Sequence, residues 1–403
     1  MKIIYLDNGA STQVDPKVLK AMEPYFTELY GNASSAHDMG MKAKLALSDA
    51  RHVVAKSIGA KDEEIYFTSS GTESNNLAIK GLAFAQEGMK NHIVTTKVEH
   101  ACVLNSCKWL IELGFEVTYL DVDKEGFINL NELESAIKPG KTFLVSIIHG
   151  NNEIGTVQDL KAIGDVCKKH GVLFHTDACQ SFTKVPIDVR KMNIDLMTLN
   201  SHKIHGPKGV GALYVRSGIG VVGSDGSGDG GGRDGRGEIV PLMHGGGHEK
   251  GLRAGTENIP GIVGFAEAVK LAKEGHVKDM VKLRNFFIDE VLKAVPDAKL
   301  NGPMDEKNLT RLCNNINFTF PVSGEMLGDY LNFAGICTSK GSACSNNEAS
   351  KVSYVLKALG RTDKEANNSI RFTLSRFTTE EEIEKTLEIL IKSVEKVRKS
   401  RFA

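Results

Sequence analysis

Lys203 directly follows the run Asp195-Leu-Met-Thr-Leu-Asn-Ser-His202, in which apolar residues give way to polar ones and then to Gly206 and Gly209. That places an ε-amino group at the C-terminal edge of a strand, where open α/β sheets bind ligands. Such a lysine is either a solvated surface charge or a Schiff-base nucleophile whose pKa its surroundings lower. Asp177 closes a second apolar run, Val172-Leu-Phe-His-Thr-Asp. A carboxylate there is either a helix cap or the partner of a buried cation, because it is costly to bury alone. One such cation is a protonated pyridine nitrogen. Asp177 and Lys203 lie about one β-α-β unit apart and can line one sheet edge. A pyridinium partner and a Schiff-base lysine are the minimum that a protein contributes to pyridoxal phosphate chemistry.

Three more strand ends carry candidate groups. Thr68-Ser-Ser-Gly71-Thr72 is a small-residue turn before a helix. The free N–H groups there suit a phosphate, although a plain Ser/Thr cap has the same composition. His100, in Val98-Glu-His-Ala-Cys, offers a flat imidazole that can stack on a ring or simply cap a helix. Asn152, in His149-Gly-Asn-Asn-Glu-Ile-Gly155, can donate to a ring hydroxyl or make an Asn-type turn. Of the seven cysteines, most sit in helix or strand patterns and read as small buried hydrophobes. Cys344 instead lies in Ser339-Lys-Gly-Ser-Ala-Cys-Ser, a Gly/Ser-rich stretch in which a thiol is either structural or reactive.

The elements that must hold these groups alternate. Strand-like runs at 64–68, 92–96, 115–120, 142–148, 172–176, 196–199 and 211–215 are separated by helical patterns, among them 72–86, 101–113 and 160–170. This predicts a mainly parallel sheet covered by helices. Earlier, Asp15-Pro16 starts a helix, and a longer one runs from Ala43 to Ile58 and stops at Gly59. After about residue 260 the pattern becomes helices with isolated strands at 315–320 and 369–374, then an amphipathic helix from Glu380 to Lys399. We expect a large domain over 16–260 and a smaller α+β unit formed by 1–15 and 261–403. The low-complexity stretch at about 217–238 is expected to be a mobile insertion.

With 403 residues, 50 basic and 50 acidic side chains balance, so no net field favours nucleic acid or an anionic membrane. No apolar run is long enough to span a bilayer. The N-terminus meets a charge too early for a signal peptide, and no Cys-x-x-Cys pair suggests zinc. We expect a cytoplasmic protein with no intrinsic metal.

Taken in order, these motifs resemble the NifS/IscS-type cysteine desulfurases of the class V aminotransferase family. The likeness extends through Leu6-Asp-Asn-Gly-Ala-Ser-Thr, Gly31-Asn-Ala-Ser-Ser, Met243-His-Gly-Gly-Gly-His-Glu, Arg253-Ala-Gly-Thr-Glu and Ser369-Ile-Arg-Phe-Thr-Leu. The resemblance implies an α/β fold-type-I architecture, with a seven-stranded, mainly parallel sheet and a smaller C-terminal domain. It implies pyridoxal 5'-phosphate as cofactor, L-cysteine as substrate and L-alanine as product. By the same resemblance Lys203 binds the cofactor covalently and shuttles protons. Asp177 pairs with the ring nitrogen, and His100 stacks on the ring and serves in acid–base steps. Asn152 and Gln180 contact the ring oxygen. Gly71, Thr72, Asn200 and His202 hold the phosphate, and Ser201 is a further cofactor-binding residue. Thr256 reaches the phosphate of a neighbouring subunit, which implies a homodimer. Arg371 grips the substrate carboxylate, as its planar fork suits, with Asn152 beside the substrate. Cys344 takes the sulfur as a persulfide, passes it to an acceptor such as an iron–sulfur scaffold or the tRNA-thiolation machinery, and is a candidate transient iron–sulfur ligand.

Cofactor motifs alone also fit a selenocysteine lyase, another class V aminotransferase or a non-catalytic sulfur carrier. Asn200 stands where serine is usual in the family; Gly9, Gly150 and Cys179 also depart from the pattern. Cys179 is a possible oxidation liability beside the cofactor motif. The insertion after Arg216 is longer than the family norm, and no extended tail for docking a scaffold is expected beyond the last helix.

Overall fold

The computed structural model describes residues 3–86, 90–223, 237–305, 310–339 and 352–400. At its centre is a seven-stranded sheet. We number its strands β1 (Ile65–Thr68), β2 (His92–Thr96), β3 (Glu116–Leu120), β4 (Thr142–Ser146), β5 (Leu173–Asp177), β6 (Leu196–Asn200) and β7 (Gly211–Val215). Their spatial order is β1-β7-β6-β5-β4-β2-β3. Strands β6, β5, β4, β2 and β3 pair in parallel, while β7 runs antiparallel to both β6 and β1. The C-terminal ends of β1, β2, β4, β5 and β6 therefore share one edge. All but β3 and the first residue of β5 are buried throughout. This is the environment that β-branched residues such as Ile93, Val94, Thr95 and Thr96 suit.

The covering helices are capped by their own sequences. Asp159 accepts from Ala162 N, and the helix Leu160–His170 ends on basic residues and on Gly171 at φ 63°, which serves the dipole and the left-handed cap together. Asp15 caps Pro16–Met22, with proline in the first turn. The long helix anticipated from Ala43 starts earlier, at Asp38, because His37 supplies the cap by accepting from Gly40 N.

A second core surrounds a three-stranded antiparallel sheet, Lys299–Leu300, Asn315–Thr319 and Ser369–Thr373. It holds Phe287, Phe318 and Phe372 together with Leu387, Leu390 and Val394 from the last helix. The helix Glu380–Lys399 begins with a Thr379/Glu382 capping box and ends on Lys396, Arg398 and Lys399. The N-terminal strand Ile4–Tyr5 pairs with Ile336–Cys337, so the first residues join this second unit. The helix Ile259–Leu271 lies almost wholly beyond the expected boundary at residue 260. Its Ile262, Phe265, Ala266, Ala268 and Val269 nonetheless pack into the large core with Val18, Met22 and Leu47. Most of the expected insertion at 217–238, and Cys344, lie outside the described residues. No described helix is long and apolar enough to cross a membrane.

Candidate active site

Two glycines let backbone approach closely at the shared strand edge. A Cβ on Gly71, the first residue of the helix Gly71–Phe84, would lie 2.5 Å from Cys179 Sγ and 3.6 Å from Asn200 Nδ2. A Cβ on Gly211, at the start of β7, would lie 2.7 Å from the Ser70 carbonyl carbon. The ends of β1, β5 and β6 therefore close around the N-terminus of that helix, where Ser70 Oγ caps Glu73 N (3.1 Å). Asn200 Nδ2 lies 3.5 Å from His202 Nε2, and His202 Nδ1 lies 3.3 Å from Ser11 Oγ. Burial, with Lys203 close by, lowers the His202 pKa to about 4, so the ring is neutral at pH 7. Thr72 is exposed at the same helix end.

Lys203 and Gln180 converge on one carbonyl. Lys203 Nζ donates to Gly9 O and to Ala10 O (2.8 Å), and Gln180 Nε2 donates to Gly9 O (2.9 Å). Gln180, expected at a ring oxygen, is thus occupied by backbone in this structure. Gly9 fits because a Cβ there would lie 3.0 Å from Thr373 Cγ2. Lys184, which sequence reasoning missed, donates to Gln180 O (2.9 Å) and Lys203 O (3.3 Å), and burial lowers its pKa to about 8.

Asp177 is 4 % exposed. Its Oδ1 accepts from Cys179 N (2.9 Å) and its Oδ2 from Asn75 Nδ2 (2.7 Å). His100 caps the helix Ala101–Glu112, as the simpler reading of that residue anticipated, and its Nδ1 meets both Cys102 N (3.3 Å) and Cys102 Sγ (2.9 Å). Cys102 is therefore no buried hydrophobe, although Cys107, Cys167 and Cys313 are. The Cys179 thiol is pushed far above the ordinary range by desolvation and by Asp177, which keeps it protonated and poorly nucleophilic.

Arg371 Nη1 donates to Asn152 O (2.8 Å), and Nη2 pairs with Asp7 Oδ1 (2.9 Å). Its Nε has no partner among the described residues. Two wholly buried carboxyl groups lie nearby in sequence and were not anticipated. Burial raises Glu99 to about 8 and Glu153 to about 7. Glu153 accepts from the Ser353 hydroxyl, and Tyr354 donates to Glu99 O (2.7 Å). Thr256 is exposed, on a segment tied down by Arg253 Nε to Glu73 Oε1 (2.9 Å).

Buried polar atoms normally find partners, yet Asn75 Oδ1, Glu99 Oε2, Asn152 Oδ1, Asn200 Oδ1 and Ser201 Oγ have none among the described residues. These orphaned atoms, the lysine amine, a buried carboxylate and the helix N-terminus cut back to glycine fit a phosphorylated pyridine aldehyde. Among the described residues no cluster of three or more His, Cys, Asp or Glu forms a metal site. A separate cavity of about 700 Å³ opens at the opposite sheet edge, between Gly171, Leu173, Asp195 and Arg216. None of the candidate site residues lines it.

Residues 4–386 match the family model described as aminotransferase class-V. A cysteine desulfurase IscS of Dictyoglomus turgidum is 43% identical, over 98% of this chain and 95% of its own length. One from Methanosarcina thermophila is 45% identical, over 98% and 93%. Among solved structures, a NifS-like protein superposes with a TM-score of 0.86 at 37% identity, covering 98% of this chain and all of that one. SspA in complex with cysteine gives 0.78 at 39% identity, covering 93% and all of that chain.

Proposed function

The chain belongs to the aminotransferase class-V family, and from its likeness to cysteine desulfurases within that family we propose that it is a cysteine desulfurase, converting L-cysteine to L-alanine and passing the sulfur on as a persulfide. The observation that carries this reading is the meeting of Lys203, Asp177, His100 and the Gly71 helix end at one edge of the sheet. It does so in a chain similar over nearly its whole length to cysteine desulfurases.

Pyridoxal 5'-phosphate is the cofactor of this family, and when bound it supplies an electron sink for the substrate carbons. Lys203 is the residue to hold its aldehyde and, once released, to move the proton at the substrate Cα. Asp177, already held by Asn75 and Cys179, would keep the ring nitrogen protonated. His100 would cover the ring and serve in proton transfer. Asn152 and Gln180 are assigned to the ring oxygen. Gly71, Thr72, Asn200, Ser201 and His202 are assigned to the phosphate, and Thr256 to the phosphate of a second copy in a homodimer. Arg371 binds the substrate carboxylate, using the unpartnered Nε or displacing Asp7. The Cys344 thiolate attacks the substrate sulfur. An S–S bond forms, the C–S bond breaks, and its electron pair stays on carbon, which takes up a proton and leaves as alanine. Cys344 keeps the sulfur as a persulfide for a downstream acceptor, such as an iron–sulfur scaffold protein in the cytoplasm. The large domain extends through Leu271, because the helix ending there packs with the large core.

The test measures alanine and reductant-released sulfide from L-cysteine, alongside the absorbance of the loaded protein. Native protein forms both products. Cys344→Ala retains the absorbance change with cysteine and makes almost no alanine. Equal alanine output from that variant, or amino transfer to a keto acid without sulfide, overturns the reading.

A further inference from the structure

Four side chains form a continuous hydrogen-bond chain between the two groups assigned to opposite parts of the cofactor ring. Asp177 Oδ2 accepts from Asn75 Nδ2 (2.7 Å), the same Nδ2 donates to Cys102 Sγ (3.2 Å), and Cys102 Sγ lies 2.9 Å from His100 Nδ1. Asn75 is 1 % exposed. It lies on the helix Gly71–Phe84, and Cys102 lies on the helix Ala101–Glu112. Neither residue has a role in the reaction as described above.

Each link fixes the next. An ionised carboxylate only accepts hydrogen bonds, so the Asn75 amide must turn its NH2 group, not its oxygen, toward Asp177. That NH2 group has two hydrogens, and the second points at the Cys102 sulfur. A sulfur receiving that hydrogen directs its own S–H elsewhere, and His100 Nδ1 is the acceptor in reach. The backbone N–H of Cys102 points at the same Nδ1 atom (3.3 Å), and a backbone hydrogen has no freedom to turn away. Two donors therefore meet at one ring nitrogen, which must carry a lone pair. The proton of the neutral imidazole then sits on Nε2.

We propose that Asn75 and Cys102 are positioning residues that lock His100 in the Nε2–H tautomer, so that it enters the reaction as a proton donor and leaves Lys203 as the base at Cα. The consequence for the reaction rests on the role assigned to His100 above; the tautomer does not. In a serine-protease triad the orienting aspartate acts in the opposite sense, holding a proton on Nδ1 and freeing Nε2 to accept. Here the S–H and the backbone N–H invert that polarity.

The experiment is nitrogen NMR of protein labelled with 15N-histidine, with and without bound cofactor, the His100 signals being identified as those lost in His100→Gln. Native protein is expected to show an unprotonated Nδ1 and a protonated Nε2. Cys102→Ser, which keeps a donor, retains that pattern. Cys102→Ala and Asn75→Ala leave only the longer backbone N–H contact (3.3 Å) directed at Nδ1, too weak to hold the lone pair there by itself, and shift the pattern toward a mixture of tautomers. They lower kcat for alanine formation by about tenfold, a fraction of the 10²–10⁴ that positioned proton transfer contributes, with the KM for cysteine changed less than about twofold. Because the two residues act through one chain, the double variant is no slower than the slower single variant. A protonated Nδ1 in native protein overturns the proposal before any substitution is made, and so does an unchanged tautomer in Cys102→Ala. The Nε2–H tautomer in a protein that yields no alanine leaves the lock standing and removes the desulfurase reading instead.

Discussion

Two buried polar regions of this molecule behave oppositely. In the C-terminal unit, Arg311 is fully buried, and its Nε, Nη1 and Nη2 donate to the carbonyls of Asn315, Pro303 and Asn301 at 2.9–3.0 Å. Arg284 donates from Nη1 to the carbonyls of Arg311 and Leu312 and from Nη2 to that of Asp305. Asn301, Asn317, Thr319 and Ser369 bond to one another across the small sheet. At the edge of the large sheet, Asn75, Asn152, Asn200, Ser201 and Glu99 each keep a buried atom with no partner among the described residues. Among the described residues the orphans of the small unit, Asn314 Oδ1, Asn315 Oδ1, Arg371 Nε and His276 Nδ1, belong to residues that face the same place. Arg371 and Asn315 donate to Asn152 O, and Asn314 lines a cleft with Lys203. Polar burial completed by the chain itself is architecture, whereas a cluster of polar groups left incomplete marks where something else binds; the orphaned Tyr214 Oη, alone at the other end of the sheet, is not part of such a cluster.

That contrast predicts different consequences for substitutions in the two regions. The largest is at Lys203. Lys203→Ala should leave no borohydride-trappable cofactor and lower alanine formation by roughly a thousandfold or more, since nucleophile and proton carrier are lost together. A trapped adduct on another lysine would remove the assignment. Next, Arg311→Met should strand three buried carbonyls and cost about 3–5 kcal/mol of stability in urea unfolding. The surviving folded protein should keep its cofactor absorbance; loss of cofactor at unchanged stability would erase the distinction between the regions. Asn200→Ala should weaken cofactor binding by about tenfold, the worth of one charge-assisted hydrogen bond, with little change in stability. Asn200→Ser should bind nearly as well as the native protein.

The smallest effect concerns pH. The Glu99 carboxyl sits at about 8 in the fold against an ordinary 4.5, chiefly because it is buried. Between those values the folded state holds a proton that the unfolded state has released, so this group's contribution to stability declines as pH rises from about 4.5 to about 8. Glu99→Gln keeps an oxygen for Ile148 N and Thr96 Oγ1 and removes the titration. The gap in melting temperature between variant and native protein should therefore widen in the variant's favour from pH 5 to pH 8. A constant gap would mean that Glu99 does not titrate in that window.

Much of this was legible in the chain. Strand periods, the glycine at 59 and the cap at Asp15 are local signals, and local hydrogen bonding and backbone sterics enforce them. The motif residues Lys203, Asp177, His100 and Gly71 announced themselves by standing at the ends of apolar runs, since period-2 burial fixes where a strand must stop. Tertiary structure alone decided who meets whom. Nothing in the spacing of Asn75, Cys102 and Asp177 places them in one hydrogen-bond chain, because they reach it from two helices and a strand end. Nothing local shows that Gly9 receives Lys203 and Gln180, or that the helix Ile259–Leu271 belongs to the large core. Sequence determines a residue's neighbours along its own element; packing between elements, which is non-directional until the side chains interlock, determines the rest.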